Sequence, residues 1–153
     1  MLSAGRSELR FLRVPPISVR VPGIRKWIGS TNAWIGLRLL GAPKLERLDG
    51  RGGRNTRGFD RATSSYARLG ANERSRITPL MDGRYRATAY IGDKAKGGTV
   101  EVPMGEVDVR VEPGGPPVVV EVQADPKALQ EAMQEVLRRQ AAAPVDEGRK
   151  GSR

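Results

Sequence analysis

Chemistry in this chain would have to come from carboxylates, lysines and arginines, because its 153 residues include neither cysteine nor histidine. Five acids, Glu101, Glu106, Asp108, Glu112 and Glu121, are interleaved with valines at spacings that put them on one strand face. Paired carboxylates so placed can hold a divalent ion or divide acid and base duties, but that work needs groups converging on a pocket. Acids alternating with valines read instead as the solvated side of a sheet. The segment Gly92-Asp-Lys-Ala-Lys-Gly97-Gly98-Thr99 has the composition of a phosphate cradle. A phosphate-binding loop places Lys and Ser/Thr after its last glycine and enters a helix. A strand pattern follows here, so the segment reads as a hairpin loop. Without thiols or imidazoles there is no disulfide framework, and zinc-dependent chemistry is nearly excluded. No catalytic, cofactor-binding or metal-binding residue is assigned, and the chain reads as a non-enzyme without a small-molecule substrate.

Binding is the stronger signal. Residues 1–76 carry 16 Lys and Arg against 5 Asp and Glu, whereas residues 77–153 carry 11 against 12, so the net charge of +10 belongs to the first half. Such asymmetry points to a polyanion or an acidic protein surface as partner. Arg51-Gly-Gly-Arg54 with Arg57 can follow a phosphate backbone, since glycines bend the chain while arginines neutralise charge. Base stacking lacks support there, because no aromatic residue lies between Trp34 and Phe59. Arg61 and Arg68 extend the same basic set toward an acidic partner or phosphate. Trp27 and Trp34 read as core or interface anchors, and Glu101, Asp108, Glu112 and Glu121 as an acidic face complementary to the basic half.

The elements that position these residues follow from periodicity. Ile17-Ser-Val-Arg-Val21 alternates between prolines and predicts a short strand near a sheet edge. Ile24, Trp27, Ile28, Thr31, Trp34, Ile35 and Leu39 recur at three and four, predicting a helix over about 24–40 that Gly41 and Pro43 stop. Residues 44–58 hold four glycines and five basic residues; they read as a flexible loop, ordered only against a partner. Phe59, Ala62, Tyr66, Leu69 and Ile77 predict a second amphipathic helix over 59–77, its outer face carrying Arg61, Arg68, Arg74 and Arg76. The period then falls to two, giving strands at 84–91, 99–104, 106–112 and 118–123 in an antiparallel meander. Asp125-Pro126 starts a C-terminal helix with a stripe of Leu129, Met133, Val136, Leu137 and Gln140. The expected fold is α+β: an antiparallel sheet of four to five strands with two amphipathic helices on one face and a C-terminal helix. Residues 1–143 form one domain, and 144–153 a charged tail. No apolar run approaches the roughly 20 residues that span a bilayer, so no membrane partner is expected.

The segment Ile77-Thr-Pro79-Leu-Met-Asp-Gly83-Arg84-Tyr-Arg, a proline-ended helix followed by a turn and a strand, resembles the tail-completion or minor tail-component family of long-tailed bacteriophages. That family runs through a pattern like Ala-Pro-Val-Asp-Thr-Gly-Arg-Leu-Arg-x-Ser before its first long strand. Pro79, Asp82, Gly83, Arg84 and Arg86 match in kind, and Gly97-Gly-Thr-Val-Glu-Val102 is similar to the next strand. One extra residue separates Pro79 from Asp82, and no Thr precedes the glycine. Over residues 17–112 the resemblance implies a structural virion protein of the neck or tail, assembled in the host bacterial cytoplasm. Its implied partners are copies of itself in a homo-oligomeric ring and other virion proteins, with a head-completion protein on one side. A basic nucleic-acid-binding or ribosome-associated protein is the alternative reading.

Overall fold

Alternation over Ile17-Ser-Val-Arg yields β1 (Ile17–Arg20), with Ile17 and Val19 fully buried. The computed structural model describes residues 14–41, 63–79 and 81–143. The expected basic loop at 44–58 lies outside them. Far from being an edge, β1 is the middle of a three-stranded sheet, antiparallel to β4 (Arg74–Ile77) and parallel to β7 (Val118–Glu121). Its flanking prolines fall just outside the strand, so every residue within it keeps the amide that pairing requires.

The helix expected over 24–40 is broken in two. Only α1 (Ile24–Ile28) is helical, and Gly29, at φ 56° and ψ −131°, ends it after five residues. The chain resumes as β2 (Ala33–Leu39), burying Ala33, Ile35 and Leu37 on one side while Arg38 faces solvent. Apolar residues are dense enough here to satisfy both periods, and the glycine in a left-handed conformation decides between them. Of the helix expected over 59–77, residues 59–62 lie outside the described residues, and from residue 64 onward it is replaced by β3 (Ser64–Arg68) and β4. Between them a turn is closed by the Glu73 amide donating to the Gly70 carbonyl at 3.1 Å. Arg74 and Arg76 point outward while Ser75 and Ile77 are buried, a period of two that the longer helical spacing of Tyr66, Leu69 and Ile77 obscured.

β5 (Gly83–Asp93) and β6 (Gly98–Val109) form a long antiparallel hairpin, and with β2 and β3 they make a four-stranded sheet in the order β3-β2-β5-β6. The strands expected at 99–104 and 106–112 are therefore one. Thr88 pairs with Pro103 and Ala87 with Gly105, leaving Met104 unopposed. This bulge, at a Gly105 with φ 92°, switches parity: Val102 and Met104 face inward before it, Val109 after it. The expected meander also fails at β7, which leaves the hairpin and joins β1 in the other sheet. In place of one sheet of four to five strands there are two sheets.

The C-terminal helix α2 (Pro126–Ala142) begins as its capping signal requires, Asp125 Oδ1 accepting from the Lys127 amide at 3.0 Å. Leu129, Ala132 and Val136 are its buried residues. Of the expected stripe, Leu137 is exposed; the apolar face is centred on Ala132 instead. The helix packs on β6, β5 and α1, and both sheets contribute to one apolar cluster with it. The chain is thus a mixed α+β protein.

Candidate functional site on the sheet faces

The register of the four-stranded sheet dictates what its outer face carries. Trp34 lies opposite Arg68 on one side and Tyr90 on the other, Gly36 opposite Tyr66 and Thr88, and Arg38 opposite Ser64 and Arg86. Across the hairpin, Tyr90 meets Glu101, Arg86 meets Glu106, and Arg84 meets Asp108. The inner face of the same strands is apolar and small, with Ala33, Ile35, Ala87, Ala89 and Ile91 completely buried. Alternation therefore forces Trp34, Tyr66 and Tyr90 onto the solvent side.

Gly36 is what brings the tyrosines together. A Cβ at that position would stand 2.7 Å from Tyr66 Cε1 and 3.0 Å from Tyr90 Cε2. With the side chain absent, the rings lean over the strand and meet each other at a centroid separation of 5.7 Å and an interplanar angle of 60°. A tilted pair of this kind contributes about 0.5–1.5 kcal/mol beyond its buried area. Tyr66 remains 60% exposed. Burial is the main cause that pushes the Tyr90 phenol above its usual range, with Tyr66 and Glu101 adding to it; the hydroxyl stays protonated at neutral pH.

Charge on this face is polarised. Arg38 and Arg68 occupy the β2–β3 side, while Glu101, Glu106 and Asp108 line β6. Between them, Arg84 Nε lies 3.5 Å from Glu106 Oε2 and 3.7 Å from Asp108 Oδ1, and Arg86 Nη2 lies 3.8 Å from Glu106 Oε1. These long, solvent-exposed pairs add little stability. Arg68 Nη2 donates to Asn32 Oδ1 at 2.7 Å, and among the described residues Arg38 pairs with no carboxylate.

The residues singled out by sequence are distributed differently from expectation. Arg51, Arg54, Arg57 and Arg61 lie outside the described residues. Arg68 and Trp34 share the aromatic face, but Trp27 is on α1, 39% exposed, with Lys26 Nζ 5.9 Å from its ring centroid. The two tryptophans do not form one stripe. Glu101 and Asp108 share the outer face of β6, whereas Glu112 follows that strand and Glu121 sits on β7 in the other sheet, its Oε1 accepting from Gln123 Nε2 at 3.0 Å. The single acidic face is thus divided. The hairpin loop stands as read: Asp93 Oδ1 accepts from the Ala95 amide at 2.9 Å and β6 follows directly. Sequence reasoning missed Tyr66, Tyr90 and Gly36. The outward parity of Tyr90 is readable from Tyr85, Ala87, Ala89 and Ile91 around it; Tyr66 carries no such signal, because the spacing of its own segment matches a helix.

Two further features frame the faces. Where the chain passes between sheets, the Arg25 guanidinium donates to the carbonyls of Gly29 (3.0 Å), Thr31 (2.8 Å), Leu69 (3.0 Å) and Gly70 (3.2 Å). Glu73, at φ 61°, turns its carboxylate to accept from the Gly23 and Arg25 amides, both at 3.0 Å. Those two amides, ahead of the other causes, hold its carboxyl below the usual range. Beside β6, an open groove of about 300 Å³ runs along α2, with Val100, Val102, Ala128 and Ala132 as floor and Glu101 and Glu131 at its rim. Its remaining acid, Glu135, is engaged by Arg138 at 2.6 Å and Arg139 at 2.7 Å. Among the described residues no three acids gather to hold a metal ion, and no helix is long and apolar enough to cross a membrane.

Fold and faces together define a mixed α+β protein whose assembled polar and aromatic groups lie on open sheet surfaces. No protein-family model, curated protein or solved structure matches the chain.

Proposed function

We propose that this chain is a non-catalytic structural component of a bacteriophage neck or tail, assembling with its own copies into a ring that joins the tail to head-completion proteins, and that it docks through the outer face of the four-stranded sheet. The observation that carries this reading is the Trp34, Tyr66 and Tyr90 cluster around Gly36, flanked by Arg38 and Arg68. Tryptophan, tyrosine and arginine dominate the few positions that supply most interface energy. The rigid rings lose little conformational entropy when covered. The positive β2–β3 side and negative β6 side supply the opposite-signed surfaces that a head-to-tail contact requires. The kind of assembly comes from the resemblance around Pro79, Asp82, Gly83, Arg84 and Arg86.

The test is the mass of the purified protein in solution over a range of concentration and salt, compared with a Trp34→Ser/Tyr66→Ser variant. The expected result is a closed oligomer for the natural chain and a folded monomer for the variant. An oligomer that survives both substitutions moves the interface elsewhere, and a monomer at every concentration removes self-assembly.

A further inference from the structure

The three-stranded sheet has an outer face of another kind, and we infer that it binds the phosphate backbone of nucleic acid. The antiparallel register of β1 and β4 sets Arg20 directly opposite Arg74 and Ser18 opposite Arg76. On the other side of β1, Ser18 meets Val119 and Arg20 meets Glu121. Arg20, Arg74 and Arg76 are all exposed. Like charges directly opposite across an antiparallel pair destabilise a sheet, and among the described residues no carboxylate pairs with any of the three. The nearby acids make their hydrogen bonds elsewhere, Glu121 accepting from Gln123 and Glu73 from the Gly23 and Arg25 amides, with Arg20 adding only a smaller attraction at Glu73. Among the described residues no ion pair occupies the three guanidiniums, and positive charge exceeds negative on this face, which favours an external anion.

Their spacing suits a repeating one. Arg74 and Arg76 stand two residues apart on one strand, roughly 7 Å along the sheet, and Arg20 stands roughly 5 Å across from Arg74. Each guanidinium can grip a phosphate with two parallel N–H groups. A protein partner would need an apolar anchor at the centre of its contact, and among the described residues the strands of this face offer Val119 alone, 66% exposed at the β7 edge. Among the described residues its three strands carry no aromatic ring on which a base could stack. The contact is therefore with the backbone, independent of sequence and steeply dependent on salt. This site shares no residue with the aromatic face, and it stands or falls separately from the assembly reading.

The experiment is anisotropy of a labelled mixed-sequence DNA duplex against the full chain across a salt series. The variants are R20Q/R74Q/R76Q and, as control from the exposed hairpin loop between β5 and β6, K94Q/K96Q. The triple variant is expected to bind about tenfold more weakly or worse at low salt, with the slope of log affinity on log salt reduced by about 2–3, while the control retains both. Circular dichroism establishes that each variant is folded; should the triple variant not fold, the single R76E variant is expected to show the same direction of loss. Unchanged affinity and slope in the folded triple variant would overturn the site. So would displacement of the duplex by poly-glutamate at equal charge concentration, which would assign the face to acidic protein. Oligomer mass is read separately, so loss of DNA binding without loss of assembly bears on this inference alone.

Discussion

On the four-stranded sheet Arg84 and Arg86 look across the β5–β6 pair at Asp108 and Glu106, whereas on the three-stranded sheet Arg20 looks across at Arg74. The residue type is the same and both faces are solvated. Each face also holds the other kind of pair, Arg38 beside Arg86 on the first and Glu121 beside Arg20 on the second, so what differs is the supply of acids and the company of rings: Glu101, Glu106 and Asp108 with Trp34, Tyr66 and Tyr90 on the first face, and among the described residues Glu121 and no ring on the second. A face whose β5 arginines are answered by the acids of β6 and whose centre is aromatic is suited to lose its water against another protein. A face whose arginines outnumber its acids and form no ion pair among the described residues stays wet and attracts anions at range. Net charge alone, concentrated in the first half of the chain, does not distinguish these surfaces, because β2, β3 and β4 belong to the same basic stretch and are dealt to different sheets.

The comparison depends on the two sheets keeping their relative placement, and Arg25 is its most sensitive point. Arg25→Ala removes the donor for four carbonyls, Gly29 and Thr31 between α1 and β2 and Leu69 and Gly70 between β3 and β4, and should destabilise the fold by about 3 kcal/mol, given the worth of hydrogen bonds to charged groups. Urea unfolding measures it, and a loss within error of zero would show that the carbonyls find water instead. Arg25→Lys should recover only a part, since a point charge cannot span four acceptors.

Next in size is Gly36→Ala, which sharpens the role assigned to the aromatic face. The added methyl must displace the exposed Tyr66 ring, forfeiting the tilted pair at a cost of about 1 kcal/mol, and should weaken self-association while leaving DNA affinity unchanged. Thermal melting and solution mass report the two halves of that expectation.

Arg74→Glu separates stability from binding on the other face. An opposite charge facing Arg20 should stabilise the sheet by about 0.5 kcal/mol and at the same time reduce affinity for the duplex. A variant that loses both stability and binding would mean that Arg74 serves the fold rather than a ligand.

The smallest expected effect lies on α2, away from both faces. Arg138 and Arg139 hold the Glu135 carboxyl at about 2, below its ordinary value of 4.5. Because the folded value is the lower one, the stabilisation is fully present above about pH 4.5 and is lost as the pH falls through about 2. Glu135→Gln should therefore lower the melting temperature slightly at neutral pH and flatten its dependence across that acid window. The gap between variant and natural chain should close at the acid end, as followed by helical circular dichroism.

Local signals carried several elements without help from the rest of the chain. The alternation at Ile17 and Val19, the Asp125-Pro126 start of α2, the inward valines of β6 and the hairpin loop after Asp93 are all legible from neighbours within a few residues, because capping, turn chemistry and a clean period of two are local physics. The basic first half and the lack of thiol and imidazole chemistry are composition. Tertiary structure decided the remainder. Whether Ile24 to Leu39 is one helix, or a helical turn and a strand, turns on Gly29 and on the presence of β3 and β5 to pair with β2. The parity of β6 depends on the bulge at Met104 and Gly105, which only the partner strand defines. The aromatic cluster and the arginine ladder join residues more than 50 positions apart, Trp34 with Tyr90 and Arg20 with Arg74. A strand's own sequence sets which side chains share its face, but only pairing register sets what stands beside them, and register is chosen by the burial of both sheets in one core.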